Sequence, residues 1–227
     1  MRVSVIMPVL DEAATIAATL ATLQGARRAG HEVIVVDGGS RDDTARLAAP
    51  LADRVAFAPR GRASQMNAGA AQAGGDVLLF LHADTRLPSN GLEAMQRELA
   101  RTGRAWGRFD VAIEGGHALL PVIALAMNLR SRLTGIATGD QAIFVRRDAF
   151  RALGGFPPLA LMEDVAFSVA AKRVSRPACL RERVATSGRR WEAHGVLRTI
   201  VLMWWLRLRF FLGASPESLV RIYYRGR

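Results

Sequence analysis

Four short apolar runs punctuate the first hundred residues, at 3–7, 33–36, 55–57 and 77–81, each rich in β-branched residues or leucine. Apolar runs of that length without polar alternation predict strands covered on both faces, as in a parallel sheet. Between them the period changes. Ile16, Leu20 and Leu23 fall at i, i+4 and i+7 behind Asp11 and Glu12, which predicts a helix with acids at its N-terminus. Ser40 or Asp42 can cap the next helix. Parallel neighbours need helical crossovers, so the alternation predicts an α/β fold with an open, mostly parallel sheet flanked by helices. Ligands of such sheets bind beyond the carboxyl ends of the strands, where polar clusters stand at 8–12, 37–43 and 82–85.

Past residue 103 the pattern predicts a strand at 106–113, an apolar helix at 117–133, a strand at 141–145 and a helix from Met162 to Lys172. The last apolar stretch, 196–212, reads as a helical tail with Arg198 and Arg209 on one face and Arg207 roughly opposite. No repeat or low-complexity linker interrupts the chain, so one domain over 1–227 is expected. Its parts are a first half at 1–103, a second at 104–195 and the tail at 196–227.

Half of the 227 residues are apolar, which excludes intrinsic disorder. The single cysteine, Cys179, excludes an internal disulfide or a cysteine-rich zinc site and fits a reducing, cytoplasmic location. No uncharged run approaches the ~20 residues of a membrane span. Pro8, Asp11 and Glu12 interrupt the N-terminal run too early for a signal peptide. The net charge of +11 is unevenly spread: residues 1–171 carry 18 basic and 17 acidic side chains, residues 172–227 carry 13 and 3. A tail of +10 can face nucleic acid, anionic lipid or a phosphorylated substrate. No base-reading or stacking motif accompanies it, which disfavours nucleic acid.

Three segments can carry chemistry. In VDGGSRDDT (36–44) a strand delivers Asp37 to the sheet edge, where a carboxylate can accept hydrogen bonds from a ribose or a base. No G-x-G-x-x-G follows the first strand, so NAD binding is disfavoured. In GDVLLFLHADT (75–85) strand periodicity puts His82 and Asp84 on one side, a donor pair suited to Mn²⁺ or Mg²⁺. Glu163 and Asp164 open a helix after a glycine- and proline-rich loop, and one of them can act as a general base. Neighbours on a helix point about 100° apart, so only one should face the site. Arg60 and Arg62, and Arg189 and Arg190 beside Trp191, can grip phosphate. Plainer roles compete at each place: a glycine turn, a helix-first-turn acid, a histidine packed in the sheet, a solvated arginine face.

The order SVIMPVLDE, VDGGSRDDT, HADT, GDQAIFVRRDAF, MED and SGRRW resembles the family 2 glycosyltransferases, inverting nucleotide-sugar enzymes of the GT-A fold. More narrowly, GRASQMNAG with FLHADT resembles a small bacterial subfamily often labelled as arsenosugar-biosynthesis or selenodomain-associated glycosyltransferases. The resemblance implies that Pro8, Glu12 and Asp37 contact the donor nucleotide, and Arg62, read above as a phosphate grip, is expected on the donor beside them. Asp84 would bind the metal and Asp164 would be the base. Arg190 and Trp191 match the RW of the QxxRW motif of processive relatives, near diphosphate and acceptor. His82 replaces the first acid of the family's D-x-D, which leaves the choice of Mn²⁺ or Mg²⁺ open, and Ser187 replaces the glutamine of QxxRW, which weakens any inference of processive synthesis. The expected partners are a nucleotide-diphosphate sugar and an acceptor hydroxyl, phosphorylated or lipid-linked. A membrane surface and a homodimer compete for the apolar tail. An inactive nucleotide-binding module and a basic nucleic-acid-binding protein are the readings from other classes.

Overall fold

Strand and helix alternate through β1 (Val3–Val9), α1 (Ile16–Thr22), α2 (Gln24–Arg28), β2 (Glu32–Asp37), α3 (Thr44–Ala48), β3 (Arg54–Phe57), α4 (Arg62–Gln72), β4 (Val77–Phe80), β5 (Thr85–Arg86) and α5 (Gly91–Thr102). The second half adds β6 (Trp106–Glu114), α6 (Leu120–Thr134), β7 (Phe144–Arg146), α7 (Arg147–Ala152), α8 (Glu163–Ala171) and β8 (Ala178–Ser187). Three helices close the chain: α9 (Arg189–His194), α10 (Val196–Phe211) and α11 (Pro216–Arg225). This computed structural model describes residues 1–225, without the side chains of residues 190, 194, 224 and 225.

Eight strands form one sheet in the order β3-β2-β1-β4-β7-β6-β8-β5. The first four of that order run parallel, as do β6 and β8, while β4/β7, β7/β6 and β8/β5 are antiparallel. The fold class is the one the apolar pattern predicts.

The continuous apolar runs are explained by burial on both faces. Val5, Met7, Val33, Val35 and Leu79 pack with Leu20, Met95 and Leu99 on one side of the sheet. Ile6, Ile34, Val36, Leu78 and Phe80 pack with Met66, Phe150 and Phe167 on the other. Each fully buried side chain of this size contributes about 1.5–3 kcal/mol, so β1, β2 and β4 present their carboxyl ends as a rigid rim. A third, smaller cluster joins Ile136, Met162 and Val165 to Leu206 of α10 and Leu219 of α11, with Leu202, Met203 and Tyr223 at its border. The two tail helices are thereby fixed beside the start of α8.

Four local expectations differ. Asp11 and Glu12 lie outside the first helix, which begins only at Ile16, and Asp11 has φ +54°. Residues 139–141 form a 3₁₀ turn, so the strand predicted at 141–145 begins at Phe144. His82 and Asp84 come together through a turn in which Thr85 N donates to His82 O at 3.1 Å, because the strand ends at Phe80. β8 was not foreseen, and the tail expected to be helical over 196–227 divides into two helices, α10 and α11. β8 alternates buried Ala178, Leu180, Val184 and Thr186 with more exposed neighbours, but arginines and a glutamate between them mask the period.

β8 matters for the site. β5, directly after Asp84, pairs with it through Thr85–Thr186 and Arg86–Ala185, and Ser187 N donates to Asp84 O at 3.2 Å. Gly107 of β6 permits the close approach of β8, since a Cβ there would lie 2.2 Å from the Ala178 carbonyl oxygen. Among the described residues no helix is long and apolar enough to cross a membrane.

Candidate active site

The loops after β1 and β2 are laced to one another. Asp11 N donates to Ser40 Oγ at 3.0 Å, Arg41 N to Asp11 Oδ1 at 2.8 Å, Glu12 N to Thr44 Oγ1 at 2.8 Å and Ala13 N to Asp42 Oδ2 at 3.0 Å. Asp37 sits beneath this lacing, 1% exposed, with Oδ1 accepting from Gly39 N and Ser40 N at 2.7 and 2.6 Å. Gln65 of α4 donates to Val9 O and Val36 O, both at 2.8 Å, and so clamps the ends of β1 and β2. Asn67, two residues on, exchanges hydrogen bonds with Phe156 N and O at 2.9 and 2.8 Å. GRASQMNAG is therefore a strut that ties the strand ends to the loop before α8, with Arg62, and Arg60 just before the segment, at the cleft.

The turn after β4 meets the 3₁₀ turn at 139–141. His82 Nδ1 lies 3.4 Å from Asp140 Oδ1, and a Cβ on Gly139 would come within 2.6 Å of the His82 ring. Gly139 N donates to Asp164 Oδ2 at 2.7 Å, and Asp164 Oδ1 accepts from its own neighbour Val165 N at 2.7 Å. Asp164 is thus held from two sides. Met162, immediately before the acidic pair, has φ +67°, a conformation that non-glycine residues adopt at a cost and that often marks functional sites.

Three arginines face these carboxylates. Arg62 interacts with the charges of Glu163, Asp140 and Asp164. Arg130 of α6 and Arg207 of α10 both face Asp164, and both keep buried guanidinium nitrogens without a hydrogen-bond partner. Burial, and then the like charge of Arg207, lowers the Arg130 pKa to about 10. Burial also lowers that of Arg207. Both remain cations at neutral pH.

These elements enclose a cleft of about 880 Å³ at the carboxyl ends of the strands. Pro8, Glu12, Arg62, His82, Asp84 and Glu163 line it. A smaller pocket of about 90 Å³ shares Arg62, His82 and Asp84 and adds Asp140, Trp191 and Arg198. Tyr223 of α11 reaches both. Of the residues singled out in the sequence, Asp37 lies under the rim and Asp164 is held by Gly139 N, and neither lines these two cavities. The Arg190 side chain lies outside the described residues. Arg198, Arg207, Tyr223 and Asp140 were not foreseen as neighbours of the site. Asp140 stood inside the GDQ segment, and Arg207 was the arginine set apart on its helix.

A model of glycosyl transferase family 2 matches residues 4–154. The chain belongs to this family. Uncharacterized glycosyltransferases of Mycobacterium tuberculosis and Mycobacterium bovis are 34% identical to this family 2 member over 98 residues, which is 43% of this chain and 43% of each relative. The match thus spans less than half of those proteins. Among solved structures, S. aureus TarS in complex with UDP-GlcNAc superposes with TM-score 0.67 at 21% identity, covering 82% of this chain and 58% of that one. Glucosyl-3-phosphoglycerate synthase from Mycobacterium tuberculosis, with Mn²⁺, UDP and glucosyl-3-phosphoglycerate, gives 0.58 at 20%, covering 82% and 70%. A mannosyltransferase from Pyrobaculum calidifontis, with GDP-Man and Mn²⁺, gives 0.67 at 19%, covering 98% and 68%. At these identities the likeness is one of fold.

Among the described residues of this family 2 chain no three histidine, cysteine or carboxylate groups converge on one point. The donor set nevertheless fits a divalent cation held jointly with a substrate. The Asp84 carboxylate accepts a long 3.4 Å hydrogen bond from Thr85 Oγ1 and lines both cavities, as does His82. Mg²⁺ and Mn²⁺ are commonly bound by one or two carboxylates plus substrate phosphates.

Glu163 yields a stability prediction. It is 5% exposed, and burial, reinforced by the like charge of Asp164, raises its pKa to about 7. Between the ordinary carboxyl range and that value the folded chain holds a proton that the unfolded chain has lost. Stability therefore falls as pH rises through this window, and the cost is complete above it. Glu163→Gln is expected to melt above the parent at about pH 8 and level with it at about pH 5, read by calorimetry. Equal melting temperatures at the higher pH would show that the buried acid carries no such cost.

Proposed function

We propose that the protein transfers a sugar from a nucleoside-diphosphate donor to an acceptor hydroxyl, with inversion at the anomeric carbon. The observation that carries this reading is the meeting of Pro8 and Glu12, His82 and Asp84, Arg62 and Glu163 around a single cleft of about 880 Å³. Family membership and the UDP, UDP-GlcNAc and GDP-Man complexes of the fold relatives support the same reading. In this scheme Pro8, Glu12 and the loops fixed above Asp37 receive the nucleotide, and Arg62 faces the diphosphate with a guanidinium suited to bidentate contact. Asp84, with His82 beside it, would hold the divalent cation. When bound, such a cation offsets the negative charge that develops on a departing diphosphate.

Asp164 is assigned as the base that takes the acceptor proton. Two backbone N–H groups fix its orientation, and each oxygen keeps a second lone pair for a proton. The acceptor oxygen attacks the anomeric carbon from the side opposite the diphosphate, in one displacement that needs no protein nucleophile. Trp191 and Arg198, in the smaller pocket, are placed to flank an acceptor. A second assignment rests on a specific observation: Glu163, not Asp164, lines the larger cleft, and its raised pKa near 7 suits proton transfer at neutral pH.

The test is a thermal-shift screen with UDP-, GDP-, CDP- and dTDP-sugars, with and without Mn²⁺, followed by the anomeric configuration of product. A binding donor at about 100 times its Kd adds roughly 2.7 kcal/mol, a shift well within detection. Selective, metal-dependent stabilisation by one nucleotide is expected. Product with the donor's own anomeric configuration would reject the single displacement.

A further inference from the structure

α10 presents its apolar side to solvent. Leu197, Val201, Trp204, Trp205, Leu208 and Phe211 are all exposed, Trp204 at 71%, and follow the helical period along one stripe. The other side of the helix, through Leu206, Leu202 and Met203, packs on Met162 and Val165 beside the cleft. Next to it, where Arg130 faces Arg207, α6 carries a second exposed stripe of Val122, Leu125, Leu129 and Leu133. Arg198 is exposed on α10, and the Arg209 guanidinium lies 5.7 Å over the Trp205 ring. Residues 196–225 contain five arginines and one acid, Glu217.

We propose that this face of α10, flanked by the exposed stripe of α6, docks the protein on an anionic lipid surface. Charge decides between a bilayer and a second copy of the chain. Pairing two copies through this face would bring together two pairs of tail helices that each carry five arginines against one acid over residues 196–225, whereas an anionic leaflet complements them. Paired tryptophans with arginines match the headgroup boundary, where an indole buries its ring and keeps its N–H wet. At 16 residues α10 is ~24 Å long, short of the ~30 Å hydrocarbon core, so it lies in the interface and does not span it. Thr199, Leu202 and Met203 on the inner face of the same helix line the smaller pocket, which shares Arg62, His82 and Asp84 with the cleft, so docking would set this pocket close to the membrane. The inference does not depend on the glycosyl-transfer reading.

Flotation of the full chain with phosphatidylcholine vesicles, with and without phosphatidylglycerol, in low and high salt, tests it. Binding is expected to require phosphatidylglycerol and to weaken on the order of 10-fold or more in high salt. Lipids with brominated acyl chains should quench the tryptophan fluorescence of bound protein. The charge-neutral pair Trp204→Ser and Leu208→Ser should cut partitioning on the order of 10-fold or more. Phe57→Ser, at an exposed site on the far edge strand β3, should leave it unchanged. Both substituted sites are exposed, and circular dichroism checks the fold. The proposal fails if the parent stays unbound in low salt, binds neutral vesicles equally well, or partitions undiminished when Trp204 and Leu208 are replaced. It fails equally if the parent ignores vesicles and elutes as a dimer that this pair disrupts, which would give the face to a second copy.

Discussion

Asp164→Asn is expected to bind donor and to lose turnover by a factor on the order of 10² to 10⁴, the usual contribution of a general base. The amide is nearly isosteric, and its remaining oxygen can still accept from Gly139 N, the contact that ties α8 to the 3₁₀ turn. The bond from Val165 N is local and the less costly one to lose. The charge change acts more widely, because Arg62, Arg130 and Arg207 all face this carboxylate. Some loss of melting temperature is therefore expected as well. Donor affinity and turnover must be measured separately on the folded variant. Turnover within a few-fold of the parent removes Asp164 from the base role, and Glu163→Gln then becomes the variant expected to be inactive.

The second large effect belongs to Asp84. Asp84→Ala should weaken nucleoside-diphosphate binding in Mn²⁺ on the order of 100-fold, roughly 2.8 kcal/mol, and leave binding without metal little changed. The half-buried side chain accepts a long 3.4 Å hydrogen bond from Thr85 Oγ1, while the backbone of residue 84 still accepts from Ser187 N, so the fold should persist. Isothermal titration with UDP and GDP, with and without Mn²⁺, separates the two conditions. Equal affinities in Mn²⁺ would remove Asp84 from the metal site. His82 stands differently, since its Nδ1 already faces Asp140. An acid placed at residue 82 would meet that carboxylate directly.

The sheet was legible in the chain because burial on both faces writes an unbroken apolar run, as in residues 33–36 and 77–81, and the loops that follow such strands must hold the polar residues of the rim. Motif order likewise placed Pro8, Glu12, Arg62, His82 and Asp84 as candidates, and all five line the same cleft. β8 was hidden because one of its faces is charged, so its signal is a weak alternation and not a run.

Which carboxylate of an adjacent pair faces a cavity was not in the sequence. Glu163 and Asp164 are both acids in one helical turn, and only the packing of Gly139 against Asp164 and the opening of the cleft onto Glu163 separate them. Asp140 gained its place from a 3₁₀ turn where periodicity read a strand, and Asp37 sank beneath its own loop because Gly39 N and Ser40 N claim one of its oxygens. Arg207 and Tyr223 are the clearest cases. They reach the site from helices more than forty residues beyond α8's first turn in the chain, through the cluster of Met162, Val165, Leu206 and Leu219. Local pattern fixes periodicity, and so which faces are buried. Contacts between distant segments depend on how those buried faces pack, and that is decided only when the whole chain folds.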